Sequence, residues 1–273
     1  MKVLIIGGAG FIGSHLCERY ADKHDVTSID NYISGKKSNH ISGVEYIEMD
    51  VYNILSLNNK FDLVFHLGEY SRVEQSLDKI DFVLQNNILP ILNILKFVKQ
   101  SDAKLIYAGS STKFADNGTN KLKSPYSFSK WQNTELVKFY CELYKIKFAI
   151  TYFYNVYGGR ENSDGEFATV IAKFLKRREM GKVLEITLPG TQRRNFTHID
   201  DTIDALELIA EDGYGDEYGI AHPESFSVTE VAELISDNMA YTKSNPANRT
   251  NSELVTHKTK KLGWKPKNSL KEY

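Results

Sequence analysis

The chain has 273 residues, of which 41% are hydrophobic and 25% are charged, a composition typical of a globular protein with a substantial core. Its 34 basic and 35 acidic residues give a formal net charge of −1, which does not support binding to nucleic acid or to an acidic membrane surface. Cys17 and Cys141 form no CxxC pair and belong to no ligand cluster, which argues against a disulfide or a metal site. The N-terminal apolar run stops at Gly7 and no stretch has the length of a membrane span, so we expect a cytoplasmic protein.

The first thirteen residues predict a buried strand, a tight turn and the start of a helix. An apolar run at 3–6 is followed by three glycines at intervals of three residues. Because glycine has no Cβ, such a turn lets backbone N–H groups and a helix N-terminus come close to a phosphate. We therefore predict a pyrophosphate cradle that consists of Gly7, Gly10, Phe11, Ile12 and Gly13. The alternative is a tight turn between strand and helix that binds no ligand.

Asp30 ends a second apolar run at 25–29, about 20 residues after the glycines, which is the spacing of a ribose-binding acid. A carboxylate at this place accepts hydrogen bonds from the ribose diol of adenosine and repels a 2′-phosphate, so NAD is favoured over NADP. Lys36 and Lys37 follow closely and would soften that repulsion. The alternative is an aspartate that only starts a turn before Asn31.

Strand-like and helical patterns alternate through the first half of the chain. Strands are predicted at 2–6, 25–29, 44–48, 62–66, 103–109 and 147–153, and helices near 11–22, 80–100 and 126–144. This alternation predicts an α/β fold with a doubly wound parallel sheet.

After about residue 156 this rhythm changes, and loops surround a helix predicted near 165–180. A helix that begins near His198 is expected to return to the main sheet, and a capping box from Ser227 to Glu230 predicts a helix that runs to about 240. We therefore predict a dinucleotide-binding domain from 1–156 plus about 194–215. A small α/β substrate-binding cap would comprise about 157–193 plus 216–273.

The helices predicted near 80–100 and 126–144 are apolar around much of their circumference. One face of each must meet the sheet, and the remaining apolar surface would suit the interface of a homodimer. Burial under the cap explains the same pattern, and the sequence does not separate the two explanations.

Tyr126 and Lys130 are four residues apart, which places them on one face of a helix that starts at Pro125. A nearby ammonium stabilises a phenolate, so tyrosine can act as a base near neutral pH. The strand predicted at 103–109 ends in Ser110, Ser111 and Thr112, at the sheet edge where ligands bind in such folds. Taken alone, the Tyr–Lys pair is equally explained as part of a polar helix surface.

In combination, these features resemble the extended short-chain dehydrogenase/reductase superfamily, in particular its NAD-dependent nucleotide-sugar epimerase/dehydratase branch, which is UDP-glucose 4-epimerase-like. The resemblance implies a Rossmann-type sheet, bound NAD and a nucleotide-sugar substrate. The motifs that carry it are Gly-Gly-Ala-Gly-Phe-Ile-Gly-Ser at 7–14, Asp30-Asn31, Asp50-Val51, His66-Leu-Gly, Asn86-Asn87, the Ser110, Tyr126 and Lys130 set, and residues 152–158, 194–200 and 262–266.

The same resemblance implies roles for individual residues. Tyr126 would be the catalytic base, Ser110 would hydrogen-bond the reacting sugar oxygen, and Lys130 would hold the nicotinamide ribose. The remaining positions are Asp50 and Val51 at adenine, Asn31, Leu67 and Gly68 along the dinucleotide, Asn87 behind the active-site strand ends, Ser111 and Thr112 beside the sugar, and Asn155 and Arg194 at the nucleotide-sugar diphosphate.

Related dehydratases carry Asp-Glu directly after the active-site hydroxyl, related decarboxylases keep a glutamate at the second place, and 3,5-epimerising relatives have a cysteine there. Here Ser111 and Thr112 occupy these places, so inversion at C4 of the sugar is favoured. The chain also departs from the pattern by a short loop at 114–125, by Asn195 in place of an aspartate, and by the bulky residues 69–72, which are expected to put charge near the sugar or pyrophosphate. Alternative functions are an NDP-4-keto-sugar reductase, an NDP-sugar dehydratase and a non-enzymatic dinucleotide sensor.

Overall fold

A computed structural model describes residues 1–243 and 253–273 of the chain. The predicted cap segment 216–273 includes residues 244–252, which lie outside the described residues. The strands of the described part are β1 (Lys2–Ile6), β2 (Asp25–Asp30), β3 (Val44–Glu48), β4 (Leu63–His66), β5 (Lys104–Ser110), β6 (Phe148–Phe153), β7 (Val156–Tyr157), β8 (Leu184–Thr187), β9 (Arg193–Asn195), β10 (Thr197–His198), β11 (Gly215–Ile220), β12 (Ser225–Ser227) and β13 (Met239–Thr242). The α-helices are α1 (Phe11–Ala21), α2 (Ile80–Asn87), α3 (Ile91–Ser101), α4 (Pro125–Tyr144), α5 (Val170–Glu179), α6 (Ile199–Asp212), α7 (Val228–Ile235) and α8 (His257–Lys261).

A seven-stranded parallel sheet forms the centre of the molecule, in the order β11-β6-β5-β4-β1-β2-β3. Helices cover both faces, so the predicted doubly wound Rossmann-type fold is confirmed. The strand order reverses between β1 and β4, and a crevice for a ligand opens at such a reversal.

The residues of β1 show how the sheet divides the core. Leu4 and Ile6 pack into the cluster that also holds α3 and part of α4, whereas Val3 and Ile5 pack against α1 and α6 on the opposite face. All four are almost fully buried. Successive side chains of a strand point to opposite faces, and a strand buried on both faces is therefore apolar throughout.

Two predicted helices differ from the structure. The helix predicted at 80–100 is two helices, α2 and α3, with Pro90 at the N-cap of α3, because proline lacks a backbone N–H and cannot continue a helix. The helix after the confirmed capping box at Ser227 ends at Ile235, and residues 239–242 form β13, which pairs with β8.

The cap has its own small core, in which α5, α7, β8 and β12 pack together. β11, which was not predicted as a strand, extends the main sheet beside β6, although residues 216–220 were assigned to the cap. Trp264, near the C-terminus, also packs into the main core rather than the cap.

Asp216 of β11 links three parts of the main domain. Its carboxylate accepts from Lys113 Nζ at 2.7 Å and from the Tyr152 hydroxyl at 2.6 Å. Burial would raise the pKa of Asp216, but Lys113 and Tyr152 outweigh it and lower that pKa. Lys113 is thereby fixed just after the end of β5.

No helix in the described ranges is long and apolar enough to cross a membrane.

Candidate active site

A cavity of about 960 Å³ opens at the reversal of strand order and extends to the cap. Its size suits a ligand of the dinucleotide class with a second small molecule. The predicted residues that line it are Gly7, Gly10, Phe11, Ile12, Gly13, Asp30, Asn31, Leu67, Gly68, Ser110, Ser111, Thr112, Tyr126, Lys130, Asn155 and Arg194. In the described ranges, no group of three or more His, Cys, Asp or Glu side chains is placed to hold a metal ion.

The glycine turn has the tight geometry that a pyrophosphate cradle needs. Gly7 has φ +87°, which side-chain-bearing residues rarely adopt. A Cβ on Gly13 would lie 2.1 Å from the carbonyl oxygen of Gly7, so the turn and the start of α1 meet with no room for a side chain. The open side of this turn, with the N-terminus of α1, fits a dinucleotide phosphate.

Asp30 lies at the end of β2 and is held by the backbone on both sides. Its Oδ2 accepts from the N–H of Ala9 at 3.0 Å and its Oδ1 from the N–H of Tyr32 at 2.8 Å. Burial raises the pKa of this carboxyl. The carboxylate therefore borders the cavity with its position fixed, as a ribose-binding acid requires.

Three predicted cofactor residues do not line the main cavity. Asp50 lies next to it and is linked to Asn31 by a 3.3 Å hydrogen bond, and the neighbouring Val51 is buried. Asn87 lies behind the loop that follows β4, where its Oδ1 accepts from the N–H of Tyr70 at 2.8 Å. This contact fits support of the strand ends better than direct contact with a cofactor.

Ser110 and Tyr126 form the centre of the site. Pro125 starts α4 and Ser124 caps it, so Tyr126 lies in the first turn of the helix, facing the end of β5. The Tyr126 hydroxyl donates to Ser110 Oγ at 3.1 Å. Thr112 donates to the same oxygen, from its hydroxyl at 2.9 Å and its N–H at 3.3 Å. Thr112 is thus engaged in fixing Ser110.

Lys130 follows one turn later on α4, and it is paired with Glu69 of the loop after β4. Its Nζ lies 2.6 Å from Glu69 Oε2 and donates to the carbonyl of Ala108 at 2.6 Å. Glu69 was expected to bring charge near the sugar or pyrophosphate. Glu69 lines the cavity, and its side chain is 2% exposed because Lys130, Tyr107 and Asn133 surround its carboxylate.

The cap side of the cavity is rich in cations. Asn155 has φ +40° and donates from Nδ2 to the carbonyl of Asn195 at 2.9 Å, and Arg194 lies nearby on β9. Four further cations, which sequence reasoning missed, line the same side: Lys173, Lys176, Arg177 and Lys182. Their clustering in one short basic stretch of the sequence is the signal that could have identified them.

The loop after β4 is joined to the segment before α5. The hydroxyl of Tyr70 and the ammonium of Lys79 both donate to the carboxylate of Glu166, and Arg72 donates to the carbonyl of Phe167. Burial lowers the pKa of Arg72, although the tyrosines and glutamates around it act in the opposite direction. These contacts join two segments of the chain that both line the cavity.

Comparisons with known proteins point to one protein family. The model of the NAD dependent epimerase/dehydratase family matches residues 3–221. A putative UDP-glucose 4-epimerase from Methanocaldococcus jannaschii is 29% identical over 292 residues, which covers 99% of this chain and 95% of that protein. A UDP-N-acetyl-alpha-D-glucosaminuronate decarboxylase from Bacillus cytotoxicus is 30% identical over 255 residues, covering 86% and 79%.

Solved structures with the same fold extend over the whole chain. The UDP-glucose 4-epimerase of Thermotoga maritima with UDP-glucose superposes with a TM-score of 0.92 at 27% identity, covering 100% of this chain and 96% of the other. The UDP-glucose 4-epimerase of Thermus thermophilus in complex with NAD gives a TM-score of 0.91 at 25% identity, with the same coverage.

Proposed function

This chain belongs to the NAD dependent epimerase/dehydratase family, and from that premise we propose that it inverts C4 of an NDP-hexose through a transient 4-keto sugar. The observation that carries this proposal is the contact between the Tyr126 hydroxyl and Ser110 Oγ at the cavity wall, with Lys130 one helical turn away. This arrangement joins a proton acceptor, a hydroxyl that holds the substrate and a cation in one place.

In the proposed reaction, Tyr126 Oη accepts the proton of the sugar 4-hydroxyl while Ser110 Oγ hydrogen-bonds the same sugar oxygen. The Lys130 ammonium favours the phenolate form of Tyr126 and binds the ribose beside it. NAD, when bound, supplies the hydride acceptor and donor for the sugar carbon. Once the sugar ring has turned about its diphosphate, Tyr126 returns the proton to the oxygen of the opposite epimer.

The chemistry of the neighbouring side chains favours epimerisation over dehydration or decarboxylation. Ser111 and Thr112 follow the active-site serine, and neither side chain can donate a proton as a carboxylic acid. Thr112 is also hydrogen-bonded to Ser110 and 4% exposed. The site thus holds the groups for a reversible oxidation at C4 and has no acid at the place where water elimination needs one.

One end of the cavity suits the dinucleotide, and the other end suits the nucleotide sugar. We assign the dinucleotide to the glycine turn, Asp30 and Leu67, with Asp50 and Val51 beside adenine. Asn155 and Arg194 would bind the diphosphate of the nucleotide sugar, with Lys173 and Lys182 adding positive charge. The other two basic residues of this side, Lys176 and Arg177, are paired with Asp164 and Glu185. In this assignment the cofactor domain and the cap are the two functional units of the chain.

The function is tested by incubating the purified protein with NDP-hexoses and no added cofactor, with separation of the products by chromatography and mass spectrometry. An epimerase retains NAD and interconverts the two C4 epimers at unchanged mass. A reductase shows no turnover until NADPH is added, and a dehydratase yields a product lighter by one water. Either of these two results would replace the epimerase proposal.

We also propose a cytoplasmic homodimer that assembles through the outer faces of α3 and α4. Leu92, Phe139 and Leu143 are large apolar side chains with at least 46% of their surface exposed.

A paired Phe139→Glu and Leu143→Glu exchange should convert a dimer to a monomer in light scattering, because it buries two carboxylates in an apolar interface. Tyr241→Glu, an exposed position on the cap, is the control and should leave the mass unchanged. A wild-type monomer at micromolar concentration would contradict the proposal.

A further inference from the structure

Glu69 is the most deeply buried carboxylate beside the candidate catalytic residues. Four groups from three elements surround it, and together they occupy both of its oxygens. Lys130 Nζ lies 2.6 Å from Oε2, Tyr107 donates to both oxygens at 3.0 Å, Asn133 donates to Oε1 at 3.0 Å, and His66 Nε2 lies 3.3 Å from Oε1.

We propose that Glu69 is a positioning residue that fixes Lys130 and offsets its charge, so that Tyr126 releases its proton at a higher pH than it would beside an unpaired lysine. This inference deepens the function proposed above and rests on it only for its effect on turnover. The residue does not contact the reacting atoms in this proposal, because its carboxylate is enclosed by protein groups.

Glu69 fixes the position of Lys130 because it takes up one of the hydrogen-bond donors of the ammonium. An ammonium has three N–H groups, and Lys130 directs two of them to Glu69 and to the carbonyl of Ala108. One donor remains for the cavity. These two contacts hold the end of the lysine chain, and because Lys130 lines the cavity we assign its third N–H to a ribose or to Tyr126.

The ionisation of Glu69 sets the net charge of its pair with Lys130. Burial would raise the pKa of Glu69, but the Lys130 ammonium and the His66 ring outweigh it and lower that pKa to about 2. Because folding lowers this pKa, the pair stabilises the fold above the ordinary carboxyl pKa of about 4.3, and that stabilisation is lost as the pH falls toward 2. Near neutral pH, Glu69 is therefore an anion, and Lys130 and Glu69 together carry almost no net charge.

Other ionisable groups also face this region and keep their influence when Glu69 changes. Arg72 acts on Tyr126 from the loop after β4, and Tyr70 packs against it from the same loop. His66 on β4 and Tyr107 on β5 face the carboxylate. Burial first, and then Glu69 itself, raise the pKa of Tyr107, so its hydroxyl stays protonated.

The test follows the titration of Tyr126 without any sugar, by the tyrosinate absorbance of the NAD-saturated protein, each variant measured against its own Tyr126→Phe partner. In Glu69→Gln, which keeps a similar shape and removes the anion, Tyr126 should titrate roughly one pH unit lower than in the wild type. Glu69→Asp, which restores the charge, should return the midpoint toward the wild-type value. The acid-side midpoint of the pH profile of kcat/KM should shift in the same direction as the midpoint of the absorbance titration.

Asp204→Asn is the matched control, since it removes another lysine-paired carboxylate, which lies on α6 outside the cavity. It should lower the melting temperature and leave the Tyr126 midpoint unchanged. A Tyr126 midpoint that stays in place in a folded Glu69→Gln protein would overturn the proposal. Because this readout needs no turnover, the epimerase assignment can fail while the proposal about Glu69 stands, and the reverse also holds.

A double variant covers the case in which Glu69→Gln does not fold, since that change leaves the Lys130 ammonium buried without its partner. Glu69→Gln with Lys130→Gln removes both charges together. If the charges of Lys130 and Glu69 cancel in their effect on Tyr126, the double variant should titrate at Tyr126 within about half a pH unit of the wild type. A midpoint raised by a full unit or more would show that Lys130 acts as an unpaired cation, and it would overturn the proposal.

Discussion

Replacing Tyr126 by phenylalanine should lower kcat by about 10²- to 10⁴-fold and leave NAD bound. The change removes the oxygen that lies 3.1 Å from Ser110 Oγ and retains the ring that packs against Tyr70 and Val83. Without that oxygen, no group at the end of β5 accepts the sugar proton, because Ser110 and Thr112 are neutral hydroxyls bonded to each other. Single-turnover reduction of NAD by substrate, followed by absorbance, measures the loss directly.

The matched control is Tyr218→Phe, which removes the hydroxyl of another buried tyrosine that hydrogen-bonds outside the cavity. We expect it to cost about 1 kcal/mol of unfolding free energy and to leave kcat within twofold of the wild type. If Tyr126→Phe retained more than a tenth of wild-type kcat, the assignment of Tyr126 as the base would be wrong.

Gly13→Ala should weaken NAD binding by at least about 100-fold and yield protein that purifies without its cofactor. The added Cβ would lie 2.1 Å from the carbonyl oxygen of Gly7 and 2.8 Å from the Cα of Gly8, both of which are backbone atoms that cannot rotate away. The strand-to-helix turn must therefore open, and the N–H groups at the start of α1 move away from the phosphate position. Isothermal titration with NAD gives the affinity.

Gly159→Ala is the corresponding control, because a Cβ there has no neighbour within 4 Å. Its NAD affinity should match that of the wild type. The cradle assignment fails if Gly13→Ala binds NAD as tightly as Gly159→Ala does while both proteins remain folded by circular dichroism.

The sequence predicted the six N-terminal strands of the sheet to within one or two residues, because each is a short segment rich in apolar and β-branched residues between glycines or polar turns. It did not predict β11, whose six residues include two glycines, an aspartate and a glutamate. Pairing with β6 and packing against α8 hold that strand, and both contacts are distant in sequence. Pro90 was visible in the predicted helix at 80–100, and its effect on the helix was underestimated.

In the candidate site too, local sequence patterns were predictable and the effects of long-range packing were not. The glycine turn and the Tyr126–Lys130 spacing are local patterns, so the sequence placed them at the cavity correctly. The direction of Glu69 depends on how the loop after β4 lies against α4, and no local pattern fixes that. The residue roles inferred from the family resemblance stay predictions until the variants above are measured.

The anchoring of Lys113 has a consequence for the minimal functional unit of this protein. Lys113 follows the serine loop and is tied to Asp216, in a strand that lines no part of the cavity in the described structure. A fragment truncated before Gly215 would retain Ser110, Tyr126 and Lys130 and would lose the tether of the loop that presents the serine. We therefore expect the smallest active fragment of this chain to extend past β11.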